Sequence, residues 1–117
     1  MPMLNVYTSA EPLGARAGEE LLKGLSRDLA RYFGKPESYV MTCLVPRTRM
    51  TFGGTTEPAC YVEVKNVGAF SDGLARTVTR ELGEKLSRAL GVAQNRIYVE
   101  LTEPEGRLWG YDGDTFG

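Results

Sequence analysis

The chain has 117 residues, 25% of them charged, a formal net charge of -1, two cysteines and no histidine. That length is one domain, with a core but with about a third of the unfolded chain's surface still exposed. The near-neutral charge excludes a global bias toward nucleic acid or an anionic membrane, and the lack of histidine excludes the usual acid-base residue near pH 7.

No apolar run approaches the roughly 18 residues that span a bilayer, and no basic segment precedes an apolar stretch at the N-terminus. The expectation is a cytoplasmic chain with no membrane partner. Cys43 and Cys60 lie far apart with no C-x-x-C spacing, which reads as buried reduced thiols and not as a redox motif or metal knuckle.

Taken in order, Met3 to Tyr7 is rich in strand formers and is followed by turn-like residues to Gly14. From Ala15 to Phe33, Leu21, Leu22, Leu25, Leu29 and Phe33 recur at helical spacing. Glu19 and Glu20 early, and Arg27 and Arg31 late, suit the helix dipole, and Gly34 ends the helix. Lys35 to Ser38 reads as a loop, Tyr39 to Val45 as a second strand, and Arg47 to Pro58 as an irregular connection. Its Gly53-Gly54 lacks the lysine and following helix of a phosphate cradle, so it reads as a turn.

Tyr61 to Val67 alternates, with Val62 and Val64 on one face and Tyr61, Glu63 and Lys65 on the other. Ser71 or Asp72 caps a second helix whose stripe is Leu74, Val78, Leu82, Leu86 and Leu90, stopped by Gly91. Arg96 to Thr102 is a fourth strand. The tail beyond Pro104 is too glycine-rich for a long element, yet carries Trp109, Tyr111 and Phe116.

The order strand-helix-strand occurs twice, and an offset of 57 residues, the separation of Gly34 and Gly91, brings Leu29 onto Leu86, Val40 onto Ile97 and Leu44 onto Leu101. This predicts an α+β domain over residues 1–117: two βαβ repeats (about 2–46 and 59–103) and a C-terminal tail (104–117), forming a four-stranded mixed sheet with both helices on one face. The other face is left open. Ile97, Val99 and Leu101 should face the helices, and Tyr98, Glu100 and Thr102 should face away with Met41, Cys43 and Val45. A partly apolar outer face of this kind suits a closed oligomer.

Pro2 is the candidate general base. If Met1 is removed, as the small Pro2 side chain favours, the chain begins with a secondary amine at the end of a strand. A free α-amino group titrates at about 7.7 to 8.0 before perturbation, so a nearby cation or modest desolvation leaves it neutral near pH 7. Only the first repeat carries this group: at the same offset Pro2 corresponds to Ala59 and Lys35 to Val92.

Several segments carry a joint resemblance over nearly the full length. They are Met1-Pro2-Met3, Gly34-Lys35-Pro36 with Tyr39, the run Met50 to Pro58, Asn66-Val67-Gly68, Arg96-Ile97-Tyr98 and the end Trp109 to Phe116. With the doubled βαβ they make the chain resemble the macrophage migration inhibitory factor and D-dopachrome tautomerase family. The resemblance implies a homotrimer and cofactor-free keto-enol tautomerase chemistry on arylpyruvate-like or dopachrome-like substrates. It implies Pro2 as acid-base, Lys35 as holder of a substrate carboxylate, Val67 as a backbone contact, and Tyr98 as a tyrosine from the adjacent subunit. Met3, Tyr39, Trp109, Tyr111 and Phe116 correspond to pocket walls. A second reading of the same resemblance is a cytokine-like protein that binds a cell-surface receptor after non-classical secretion, its tautomerase activity weak or vestigial. Decarboxylation or dehalogenation with the same amine is a third.

The chain also departs from that pattern. Glu100 stands where close members carry asparagine; an ionised acid there would raise the Pro2 pKa and repel a carboxylate substrate. Lys65 replaces a histidine and is placed to pair with Glu100 or Glu63. Ala59 and Val62 stand where the animal cytokine has its C-x-x-C, so thiol-oxidoreductase activity is not expected.

Overall fold

A computed structural model describes residues 1–117. Its strands and helices are β1 (Met3–Thr8), α1 (Ala15–Phe33), β2 (Met41–Val45), β3 (Cys60–Lys65), α2 (Asp72–Leu90), β4 (Ile97–Thr102), and the short β5 (Gly110–Tyr111) and β6 (Asp114–Thr115). The main sheet runs β2-β1-β3-β4. β1 and β2 are parallel, as are β3 and β4, while β1 and β3 pair antiparallel at the centre. This is the mixed four-stranded sheet that two βαβ units produce, with both helices on one face.

Alternation along the strands builds the core. Leu4, Val6, Val62 and Val64 point to the helices and meet Leu25 and Leu29 of α1 and Val78, Leu82 and Leu86 of α2, all fully buried. Each such side chain contributes about 1.5 to 3 kcal/mol by leaving water. Cys60 joins this layer, and burial pushes its thiol up to about 12. Both cysteines are free.

The ends of the elements differ from the sequence expectation in instructive places. Residues Glu37–Tyr39 form a 3-10 turn, so β2 starts at Met41 and not at Tyr39. Pro36, at φ -60, starts that turn, and its carbonyl accepts the Tyr39 N–H. β3 ends at Lys65 and not at Val67, because Gly68 at φ 137 turns the chain. Arg96 lies in a second 3-10 turn before β4.

The dipole argument at the start of α1 fails: no acidic residue stands in its first turn, and Gly14 gives no side-chain cap. Glu19 and Glu20 come too late to meet the free N–H groups. Arg31 does sit in the last turn. For α2 the cap is Ser71, whose Oγ accepts the Leu74 N–H at 3.0 Å, with Asp72 as the first helical residue.

The connection from Arg47 to Pro58 is held in place. Phe52 and Thr55 pair around Gly53 (φ 59) and Gly54 (φ 80), two left-handed residues that make a tight two-residue hairpin turn. The Arg96 guanidinium donates to the carbonyls of Glu57 (2.9 Å), Pro58 (2.9 Å) and Phe52 (3.3 Å) and lies over the Phe52 ring.

Candidate active site

Pro2 precedes β1 at the centre of the sheet. Its carbonyl accepts the Met41 N–H at 3.1 Å, which ties it to the start of β2, and its ring is fully buried. Beside it opens a cavity of about 210 Å³ lined by Met1, Pro2, Met3, residues 38–41, residues 109–111 and Phe116. The lining is mostly apolar. Thus Met3, Tyr39, Trp109, Tyr111 and Phe116, far apart in sequence, come together around Pro2.

The tail reaches the cavity through a small hairpin. β5 and β6 pair through Tyr111 and Asp114, with Asp112 (φ 50) and Gly113 (φ 85) at the turn. The Phe116 N–H then bonds to the carbonyls of Gly106 (3.1 Å) and Trp109 (3.2 Å). The fit at Gly106 is tight: a Cβ on it would lie 3.2 Å from the Phe116 carbonyl oxygen, so a larger residue would have to push the tail back by a few tenths of an ångström. The hairpin presents Tyr111 and Phe116, stacked at 5.9 Å, to Tyr39, whose ring meets theirs edge-on at 5.4 and 6.3 Å.

Lys35 approaches from the end of α1. Gly34 in the left-handed conformation turns the chain there, and Lys35 Nζ donates to the Val67 carbonyl at 2.5 Å. Lys35 also acts on the N-terminal amine, here that of Met1. Burial first, then a hydrogen bond to Lys35 and its charge, lower that amine from 8.0 to about 6. An amine in this position is neutral at pH 7 and free to accept a proton. With Met1 attached, the Pro2 nitrogen is an amide and has no such lone pair.

Tyr98 and Glu100 lie elsewhere. Both are on the face of β4 turned away from the helices, Tyr98 is 65% exposed against Phe52 (4.8 Å between rings), and neither lines the Pro2 cavity of its own chain. Glu100 accepts the Tyr61 hydroxyl at 2.9 Å. Glu63 takes Asn5 Nδ2 at 3.3 Å. The expected pairing of Lys65 with Glu100 or Glu63 is therefore not made: Glu63 is engaged by Asn5 in its own row and Glu100 by Tyr61 in the next.

Sequence reasoning missed Met1, Ser38, Val40, Met41 and Gly110 as cavity walls, and Asn66 beside Lys35. A parallel pairing of the first two strands carried a signal for Val40 and Met41, since the residues that open a strand parallel to β1 must lie next to Pro2. A larger, more open cleft of about 630 Å³ lies at the other end of β1, lined by Ser9, Glu11, Arg47 to Thr51 and Thr56. It has one apolar wall residue and no rigid base, and so is less suited to an aromatic substrate.

The description "Macrophage migration inhibitory factor (MIF)" belongs to a family model that matches residues 1–117. A macrophage migration inhibitory factor homolog of Trichuris trichiura is 34% identical over 97 residues, covering 83% of this chain and 85% of that protein. The macrophage migration inhibitory factor of Rattus norvegicus is 30% identical over 99% of both chains. Among solved structures, the macrophage migration inhibitory factor homologue of Prochlorococcus marinus superposes with a TM-score of 0.91 at 43% identity, covering 98% of this chain and 99% of that one. A family match over the whole length, joined to the same fold and a buried proline beside an aromatic cavity, shows that the chain belongs to the macrophage migration inhibitory factor family.

Proposed function

We propose that the protein is a cofactor-independent keto-enol tautomerase acting on arylpyruvate-like or dopachrome-like compounds. The observation that carries this is the N-terminal amine held beside Lys35 at the mouth of a small aromatic cavity. Removal of Met1 transfers the free amine to Pro2. Lys35 then has two tasks: it holds the substrate carboxylate and, as a like-sign neighbour, keeps the amine neutral.

The neutral Pro2 nitrogen takes a proton from the carbon next to the substrate carbonyl. The C–H bond breaks as the N–H bond forms, its electron pair becomes the enol double bond, and the Pro2 ammonium hands that proton to the carbonyl oxygen, which regenerates the neutral amine. In the reverse direction the ammonium returns its proton to carbon. Tyr39, Trp109, Tyr111, Phe116 and Met3 sandwich the aromatic ring, and the Val67 backbone borders the site. In a homotrimer, Tyr98 and Glu100 of the adjacent subunit complete the mouth, which accounts for their exposure in the single chain.

The test compares phenylpyruvate and dopachrome methyl ester turnover by wild type and Pro2→Gly, after intact mass has verified loss of Met1. Loss of at least two orders of magnitude is expected, as for removal of a positioned general base. Equal rates would remove the catalytic claim.

The second reading is a receptor-binding protein with vestigial turnover, released by a non-classical route. Glu100 favours it, since an acid at the site opposes a carboxylate substrate. Saturable binding to a cell-surface receptor ectodomain, together with turnover unaffected by Pro2→Gly, would replace the first reading by this one.

A further inference from the structure

Asn66 is 4% exposed, and its Oδ1 is fully buried with no hydrogen-bond partner. Buried carbonyl oxygens without donors are rare and costly, so this one calls for an explanation. The strand register supplies its surroundings. In the antiparallel ladder Met3 stands opposite Lys65 and Leu4 opposite Val64, so one step further puts Pro2 opposite Asn66.

Leu4 and Val64 face the helices, Met3 and Lys65 face away, and Pro2 and Asn66 therefore face the helices again. Both are buried. Directly opposed residues in such a ladder have Cβ atoms about 4.5 to 5.5 Å apart. The Asn66 carboxamide and the Pro2 ring are neighbours.

Lys35 flanks the same spot. A Cβ on Gly68 would lie 3.3 Å from Asn66 Nδ2 and 4.0 Å from Lys35 Nζ. Other charged or titratable groups on the surrounding elements point elsewhere or carry no negative charge there. Lys65 is on the outer face of β3, Glu103 after β4 is taken by the Phe70 N–H at 3.0 Å, and Tyr39 and Tyr111 wall the cavity. No carboxylate lines that cavity. For a protonated Pro2 amine, buried and next to a lysine, this buried carboxamide oxygen is an idle acceptor within cross-strand reach.

We propose that Asn66 is the positioning residue of the N-terminal amine, its Oδ1 accepting a hydrogen bond from the protonated Pro2 nitrogen. The inference rests on the reading of Pro2 as the base. During turnover the acceptor holds the proton on nitrogen between abstraction from one substrate atom and return to another. An acceptor of the charged form raises the amine's pKa and so opposes burial and Lys35, keeping the group near the working pH.

The test titrates the Pro2 nitrogen directly, by NMR of protein labelled with ¹⁵N-proline and verified by mass to begin at Pro2. Asn66→Ala is expected to lower the Pro2 pKa by about one unit, the size of a hydrogen bond to a charged group. The acid limb of the kcat/KM profile should move down with it. Asn66→Asp, which keeps the shape and strengthens the acceptor, is expected to raise the pKa. Urea melts identify folded variants, and if Asn66→Ala does not fold, the direction of the Asn66→Asp shift decides. An unchanged Pro2 pKa in folded Asn66→Ala, or no rise in Asn66→Asp, would overturn the proposal. Because the titration reads the amine with or without turnover, such a result is distinct from failure of the tautomerase reading, which Pro2→Gly tests.

Discussion

Lys35 influences the N-terminal amine by both a hydrogen bond and its charge, and each lowers the amine's proton affinity. Replacing it with alanine should therefore move the amine back from about 6 toward 8.0, leaving burial as the remaining cause. In the processed protein the sign of the effect on catalysis follows: a base with a higher pKa is neutral only at higher pH, so the acid limb of the kcat/KM profile should shift up. The KM for a carboxylate substrate should rise as well, and steady-state kinetics across pH separate the two effects. Tyr61 offers a second residue-scale check that is independent of turnover. Its hydroxyl is pushed up to about 12, first by the hydrogen bond to Glu100, then by burial and the nearby carboxylate charges. Glu100→Gln should bring Tyr61 down toward 10.0, visible as one tyrosine ionising earlier in an ultraviolet pH titration. An unchanged titration curve would mean that Glu100 is not the partner that holds this proton.

At the scale of elements, the helices were legible because a leucine stripe at spacing three and four has one physical solution. Leu25, Leu29, Val78, Leu82 and Leu86 all became core. Strand ends were less legible. The expected start at Tyr39 and end at Val67 both overran, since apolar residues such as Tyr39 and Val67 fit a strand pattern as well as a turn that lines a cavity. The connection from Arg47 to Pro58 had no periodicity to read, and one side chain from a distant element organises it. Arg96 reaches three carbonyls and an aromatic face with one planar fork, which a lysine ammonium cannot reproduce. Arg96→Lys should cost about 1 to 3 kcal/mol in urea denaturation. It should also speed amide exchange in residues 47–58 before exchange in the central strands.

At the scale of the molecule, the sheet face turned from the helices forms three rows across the strands. They are Val45, Tyr7, Tyr61 and Tyr98; Cys43, Asn5, Glu63 and Glu100; and Met41, Met3, Lys65 and Thr102. Met41 and Tyr98, at the two open edges, are 62% and 65% exposed. A face that exposes Met41, Val45 and Tyr98 at its edges around a polar middle row is poorly matched to water and well matched to other copies of itself. With the homotrimer that the family resemblance implies, light scattering should give three times the 12.9 kDa of the chain. The proposed sharing of the site between protomers has a sharper consequence. Mixed oligomers of Pro2→Gly and Tyr98→Ala chains should recover turnover that neither variant shows alone, because some sites then pair an intact Pro2 with an intact Tyr98 from the next subunit. No recovery would place Tyr98 outside the reaction.

From the residues alone, the doubled βαβ, the helix-facing layer and Pro2 as a candidate base could be read, because each follows from a local rule: side-chain period, glycine at a helix end, a proline one residue from the start. Lys35 entered only with the family resemblance. The tertiary structure decided what local rules do not reach. It folded the glycine-rich tail into a hairpin that sets Tyr111 and Phe116 against Tyr39, and it set Asn66 across the ladder from Pro2 with an oxygen that nothing satisfies. It also gave Glu100 to Tyr61 instead of Lys65. These are choices among partners distant in sequence. They depend on register and on which polar groups must be paired once water is excluded, and neither is set until the strands have met.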